Sequence, residues 1–180
     1  MTRRDTPLRK LTLCLIAMFA LASFGCVSHE GQLAILMTSG PSAVSSPDAR
    51  QVNVEITSVE LWDTGSNAWV TVSAGSQIHE LVGLSGRVSP IALVNSIDRG
   101  NYTQVRITFS PNSSSVVTDT GRRDDLRIDP RVVTVQALAT VVEDASSDVV
   151  LELDLASSLS QRSTGSWILR PVVRQIASNR

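Results

Sequence analysis

Val52-Asn53-Val54-Glu55-Ile56-Thr57-Ser58-Val59-Glu60-Leu61 alternates apolar and polar residues and then changes step. Val52, Val54 and Ile56 mark one face of a strand, since successive side chains in a strand point to opposite sides. The next apolar residues, Val59 and Leu61, are out of phase with them, and no turn residue intervenes. A period-2 pattern that shifts by one residue inside a single run predicts a β-bulge near Thr57-Ser58. The protein is therefore read as all-β, and the face that each later residue occupies depends on that bulge.

Outward from this strand the pattern repeats. Asp63-Thr64-Gly65-Ser66-Asn67 has hairpin-loop chemistry, and Ala68 to Ser73 returns with Trp69 on one face and Val70 and Val72 on the other. Upstream, a strand from Gln32 to Thr38 stops at Ser39-Gly40-Pro41, and the stretch to Pro47 reads as a loop. Downstream, Gln77 to Ile97 is mixed. Pro90 fits the first turn of a short helix over 90–96, in a crossover segment. Asp98-Arg99-Gly100 is a turn, and Tyr102 to Ser110 alternates with Val105, Ile107 and Phe109 inward.

Pro111 to Asp125 is polar, with a short strand at Val116-Val117. Val133, Val135, Ala137, Ala139 and Val141 face the core from one strand, and Val149, Leu151, Leu153 and Leu155 from the next. The acidic loop between them, Glu143 to Asp148, is short enough for a hairpin. A last strand, Trp167 to Ile176, carries Pro171, which suits an edge or a bulge. Short strands at this spacing predict an antiparallel β-sandwich of immunoglobulin-like or transthyretin-like type over residues 32–176.

The N-terminus has a different character. Arg3, Arg4, Arg9 and Lys10 precede an apolar run from Leu11 to Val27, the order of a secretory signal peptide. A retained membrane anchor is the alternative, but the run is at the short edge of the roughly 20 residues that a bilayer requires. Leu21-Ala22-Ser23-Phe24-Gly25-Cys26 resembles the lipobox of bacterial lipoproteins, with Ser23 where leucine is usual and a bulky Phe24. Residues 1–25 are accordingly read as a lipoprotein signal peptide, Cys26 as the lipidation site and 26–31 as a short tether. Ordinary cleavage with an unmodified Cys26 is the competing reading.

The chain has two cysteines, Cys14 and Cys26, so the mature domain contains none beyond its first residue. Burial alone must hold it together. About 150 residues suffice for one such domain, since a chain of that size buries about 70% of its unfolded surface. The leader holds four of the sixteen basic and one of the seventeen acidic residues, leaving twelve against sixteen and a net charge of −4. No basic stripe with interleaved aromatics is present, so nucleic acid is not an expected partner. Lys10 is the only lysine, which excludes lysine-based covalent chemistry from the mature part.

Candidate chemistry is sparse. His29 lies in the tether, so His79 is the single histidine within the domain, and one histidine without cysteine cannot supply the three or four ligands of a zinc site. Asp119, Asp124, Asp125 and Asp129 could bind calcium, but their spacing is not that of an EF-hand loop. Arg122, Arg123, Arg127 and Arg131 could neutralise them, so a solvated loop with local ion pairs is favoured. Glu55 and Glu60 flank the bulge, and glycoside hydrolysis by such a pair needs a cleft. Trp62, Trp69 and Trp167 could line a carbohydrate-binding surface, although core or cross-strand packing is the commoner use. No catalytic residue, metal site or cofactor is assigned.

Gly100-Asn101-Tyr102-Thr103-Gln104-Val105-Arg106-Ile107, together with Trp167-Ile168-Leu169-Arg170-Pro171-Val172-Val173-Arg174, resembles a family of exported prokaryotic proteins, the domain of unknown function DUF4382. The likeness covers about Gly31 to Ile176. It departs at the first turn, where members commonly have Asp-Ala-Pro after the threonine and this chain has Thr38-Ser39-Gly40-Pro41. The resemblance implies a β-sandwich on the cell envelope and brings no activity, cofactor or catalytic residue.

The expected function is that of a non-enzymatic binding or scaffolding module, tied to the membrane by lipid on Cys26, with an envelope protein or glycan as partner. Val27 provides no inner-membrane retention signal of the aspartate type, which points toward the outer membrane. The alternatives are a weak or calcium-dependent hydrolase using carboxylates, and a structural surface spacer.

Overall fold

The computed structural model describes residues 29–40 and 48–177. Twelve strands follow one another: β1 (Glu30–Ser39), β2 (Ala49–Asp63), β3 (Ala68–Glu80), β4 (Ser89–Asp98), β5 (Gly100–Phe109), β6 (Ser115–Thr118), β7 (Arg123–Ile128), β8 (Val132–Val141), β9 (Ser146–Leu153), β10 (Leu159–Gln161), β11 (Trp167–Leu169) and β12 (Val173–Ile176). A one-turn helix, α1 (Leu155–Ser158), separates β9 from β10, and Asp154 caps it by accepting a bond from the Ser157 N–H at 3.0 Å. The strands form two sheets. The smaller has the order β12-β9-β1-β4, and the larger β10-β11-β7-β6-β2-β5-β8 with β3 also on β2.

The bulge stands where the phase shift places it. Both ladders of β2 slip between Ile56 and Ser58: toward β3 the extra residue lies on β3 itself, between Ala74 and Gln77, and toward β5 it is Thr57. Its hydroxyl donates to the Thr108 carbonyl at 3.2 Å. Val52, Val54 and Ile56 before the bulge, and Val59 and Leu61 after it, are all buried. The core lies between the two inner faces, with Ile35, Met37, Val149 and Leu151 from the smaller sheet meeting Val59, Leu61, Val105 and Ile107 from the larger. The Asp63–Asn67 hairpin also forms as expected. The Asp63 carboxylate accepts from the Gly65 and Ser66 N–H groups, and Asn67 takes a left-handed φ of 52°.

Several expectations need correction. Residues 90–96 are not a helix but part of β4, where Ile91, Ala92 and Ile97 are buried. Pro90 fits there because β4 is an edge strand, and an edge tolerates a missing N–H. The loop before Asp148 does not close a hairpin: β8 pairs with β5, whereas β9 crosses into the other sheet and lies parallel to β1. The sandwich is thus mixed and not wholly antiparallel, with a second parallel pairing of β7 with β11. Val149, Val150 and Leu151 are buried in succession, as suits an interior strand with β1 on one side and β12 on the other. The final strand is two. β11 ends at Leu169 in the larger sheet, Arg170 to Val172 cross over, and β12 joins the smaller one. Finally, the first strand begins at Glu30, two residues before the expected start of the domain at 32.

An unpaired strand edge invites pairing with another chain unless it is blunted. At β8 this is done by side chains. The Gln175 amide accepts from the Leu138 N–H at 2.9 Å and donates to the Leu138 carbonyl at 3.0 Å, standing in for a peptide group. The Ser147 hydroxyl occupies the Thr140 carbonyl at 2.8 Å.

Candidate functional site

The bulge decides what the outer face of the larger sheet displays. Without the extra residue, strict alternation from Ile56 would turn Glu60 and Trp62 inward and Val59 and Leu61 to solvent. With it, Glu60 and Trp62 point outward from β2. Trp69 lies directly across from Trp62 on β3, and Arg106 directly across from Glu60 on β5.

These four side chains form one interlocked group. The Arg106 guanidinium donates through Nε to Glu60 Oε2 at 2.7 Å and through Nη2 to Oε1 at 2.8 Å, the bidentate geometry that planar guanidinium favours. The same group lies 4.1 Å from the centre of the Trp69 ring, in cation–π range. Trp69 meets Trp62 edge to face, with centroids 5.4 Å apart and planes at 66°. Arg106 holds the Glu60 carboxyl below its ordinary range, chiefly by these hydrogen bonds, and its own charge is secured in return. The group is only partly buried, with 29% of the Arg106 side chain and 19% of Glu60 exposed. Gln104 and Gln136 continue the face beyond Trp62, and Val132 and Leu138 are exposed along β8.

The other expected residues do not join it. His79 lies on β3 opposite Val54, buried to 7% exposure, and its Nε2 has no hydrogen-bond partner among the described residues. Burial pushes its pKa down, so the ring is neutral. Glu55 is kept apart by the hydroxyls of Ser110, Ser113 and Ser76, which hold its carboxyl below the ordinary range.

The acidic run is not a loop, because Arg123 to Ile128 form β7, in which Leu126 and Ile128 are buried, Asp124 is half-buried on their side, and Arg123, Asp125 and Arg127 take the exposed face. Two of the four arginines form local ion pairs, and Arg123 instead donates to the Ser115 hydroxyl. Arg122 donates to Asp124 at 2.8 Å, where the Trp167 indole N–H also reaches at 3.3 Å, and Arg127 lies 3.5 Å from Asp129. Among the described residues no three His, Cys, Asp or Glu side chains converge as a metal site requires. Trp167 is core, whereas Trp62 and Trp69 pack across strands at the surface. Cys26 lies outside the described residues.

Arg106 escaped selection as a site residue. Its alternation marks it as outward-facing, but only the register between β2 and β5 sets it against Glu60 and Trp69. No curated protein and no solved structure matches the chain. The family model of a domain of unknown function (DUF4382) matches residues 30–171, and the chain belongs to that family.

Proposed function

We propose that the mature protein is a lipid-anchored envelope module that acts by contact and not by turnover, engaging an envelope protein or glycan through the outer face of its larger sheet. The Trp62–Trp69–Arg106–Glu60 group carries this reading. Tryptophan and arginine are the residue types that dominate binding energy at interfaces. Here the ring contacts and the bidentate pair fix their rotamers before any partner arrives, which reduces the ordering cost of association. Gly25-Cys26 at the end of the apolar leader supports the anchor, with the outer membrane as its address.

The test is capture of partners by crosslinking in intact cells, comparing the native protein with Trp69→Ala and Arg106→Ser, each checked for folding. A partner retained by the native protein and lost from both variants is the expected result. The hydrolase alternative predicts instead reproducible turnover of ester, glycoside or peptide substrates, with or without calcium, abolished in Ala variants of Glu55, His79 or Asp125. Such turnover would overturn the proposal.

A further inference from the structure

We infer that the anchored domain stands upright on the bilayer, resting on the end that carries His29, with the Asp98–Gly100 turn and the 142–145 loop against the lipid headgroups. This rests on the lipidation of Cys26 proposed above. From Cys26 to His29 is three residues, which span at most about 10 Å when extended. That leash ends on a fixed point. The His29 carbonyl accepts from the Arg99 N–H at 2.9 Å, its Nδ1 lies 3.2 Å from the Glu143 carboxylate, and the next carbonyl, of Glu30, accepts from the Asp144 N–H at 3.1 Å. Arg99 reaches the same Glu143 carboxylate at 3.6 Å.

The leash is short beside the domain. β1 and β4 run away from this end as an antiparallel pair, with Glu30 opposite Asp98 and Met37 opposite Ser89. At about 3.3 Å per residue, Val88 at the far end lies roughly 30 Å away. β1 is also an interior strand, flanked by β4 and β9, so the leash leaves the middle of the end and not a corner. The Gly100–Val141 pair of the other sheet brings the 142–145 loop beside it. What this end offers is the 56% exposed Val142 and a shallow hollow of about 480 Å³ between the turns. Glu30, Asp98, Glu143 and Asp144 outnumber Arg99, so this end is net acidic and suits zwitterionic headgroups better than anionic ones, and the leash supplies the proximity. Thr64 N–H donates to the Asn101 carbonyl, which ties the Asp63–Asn67 hairpin to the same end. The Trp62–Trp69 pair just behind that hairpin therefore sits low and faces along the membrane plane.

The experiment uses the lipidated protein in phosphatidylcholine vesicles that contain a nitroxide-headgroup lipid. After leader removal Cys26 is the only cysteine and lipidation occupies its sulfur, so V142C or V88C provides a single labelling site at positions of similar exposure. A fluorophore at 142 should be quenched several-fold more than one at 88. Equal quenching at both positions, as for a domain lying along β4, would overturn the upright arrangement, and so would quenching at neither. Intact mass and vesicle flotation separate the premise from the orientation. A protein without acyl chains that fails to float removes the anchor itself, whereas one that floats with 142 unquenched sinks the orientation alone.

Discussion

The two faces of β2 and β5 are built from the same strands, yet they are specified in different ways. Inward, Val59, Leu61, Val105 and Ile107 are fully buried and interchangeable in kind, since burial is non-directional. Outward, Glu60, Arg106, Trp69 and Trp62 depend on particular partners at particular distances. The inner face therefore needs only the right phase, while the outer one needs both phase and register. The bulge at Thr57 serves both, because it restores the phase that a regular strand would lose.

The comparison breaks most violently if a charge is placed on the inner face. Ile107→Asp, or Leu153→Asp in the smaller sheet, buries an uncompensated carboxylate among residues that are fully enclosed. The cost is several kcal/mol, of the order of a domain's total stability of about 5–15 kcal/mol. Neither variant should give a cooperative melting transition. Glu152→Ser, on the outer side of β9, loses a pair with the exposed Arg174 and should cost no more than about 1 kcal/mol. Thermal melts followed by circular dichroism decide the matter, and similar behaviour of the two sets would mean that the facing is wrong.

What could be read in advance follows the same division. Local patterns were sufficient for β2, its bulge and the Asp63–Asn67 turn, because alternation and turn chemistry are properties of neighbouring residues. Pairing partners are not local. Nothing between Val141 and Val149 says that the chain changes sheets, and β9 finds β1 more than a hundred residues earlier in the chain. The run Val149-Val150-Leu151 was the available signal of an interior strand, overshadowed by the alternation of Leu151, Leu153 and Leu155. In β4, Pro90 suggested a helix start because the pattern around it is irregular, and β1 and β4 indeed slip register twice. Glu60 and the tryptophans were visible as candidates for the site, but not the guanidinium that joins them.

A milder perturbation uses the one ionisable side chain enclosed on the inner side of β3. Burial depresses the pKa of His79 below its ordinary 6.5, so the unfolded chain binds a proton there in mildly acidic solution while the folded protein does not. Stability is therefore unaffected above that value and falls as the pH drops below it. The carboxylates with lowered pKa values, Glu60 among them, lose their contribution only at still lower pH. Urea midpoints measured from pH 7.5 down to about 5.5 should decline for the native protein and much less for His79→Phe, the window being set by the reference value of histidine. Parallel declines in both proteins would show that His79 is accessible to protons in the folded state.

The smallest effect sharpens the outer face. Arg106→Ser removes a bidentate ion pair and a cation–π contact at once, but both lie at a partly exposed surface where water and salt replace part of what is lost. Each contact at such a site is worth up to about 1 kcal/mol, so the variant should remain folded and lose roughly 1 kcal/mol. Glu60→Gln removes the charge of the partner and leaves Arg106 over Trp69. If the pair is held together as its geometry indicates, the double variant should be less destabilised than the sum of the two single ones, with a coupling of about 0.5–1 kcal/mol that shrinks as salt is raised. Trp69→Ala in place of Glu60→Gln gives a coupling that salt changes less, since the ring carries no net charge. Purely additive losses in both cycles would mean that the four side chains are neighbours without being a unit. The rigidity on which the contact face depends would then have no energetic basis.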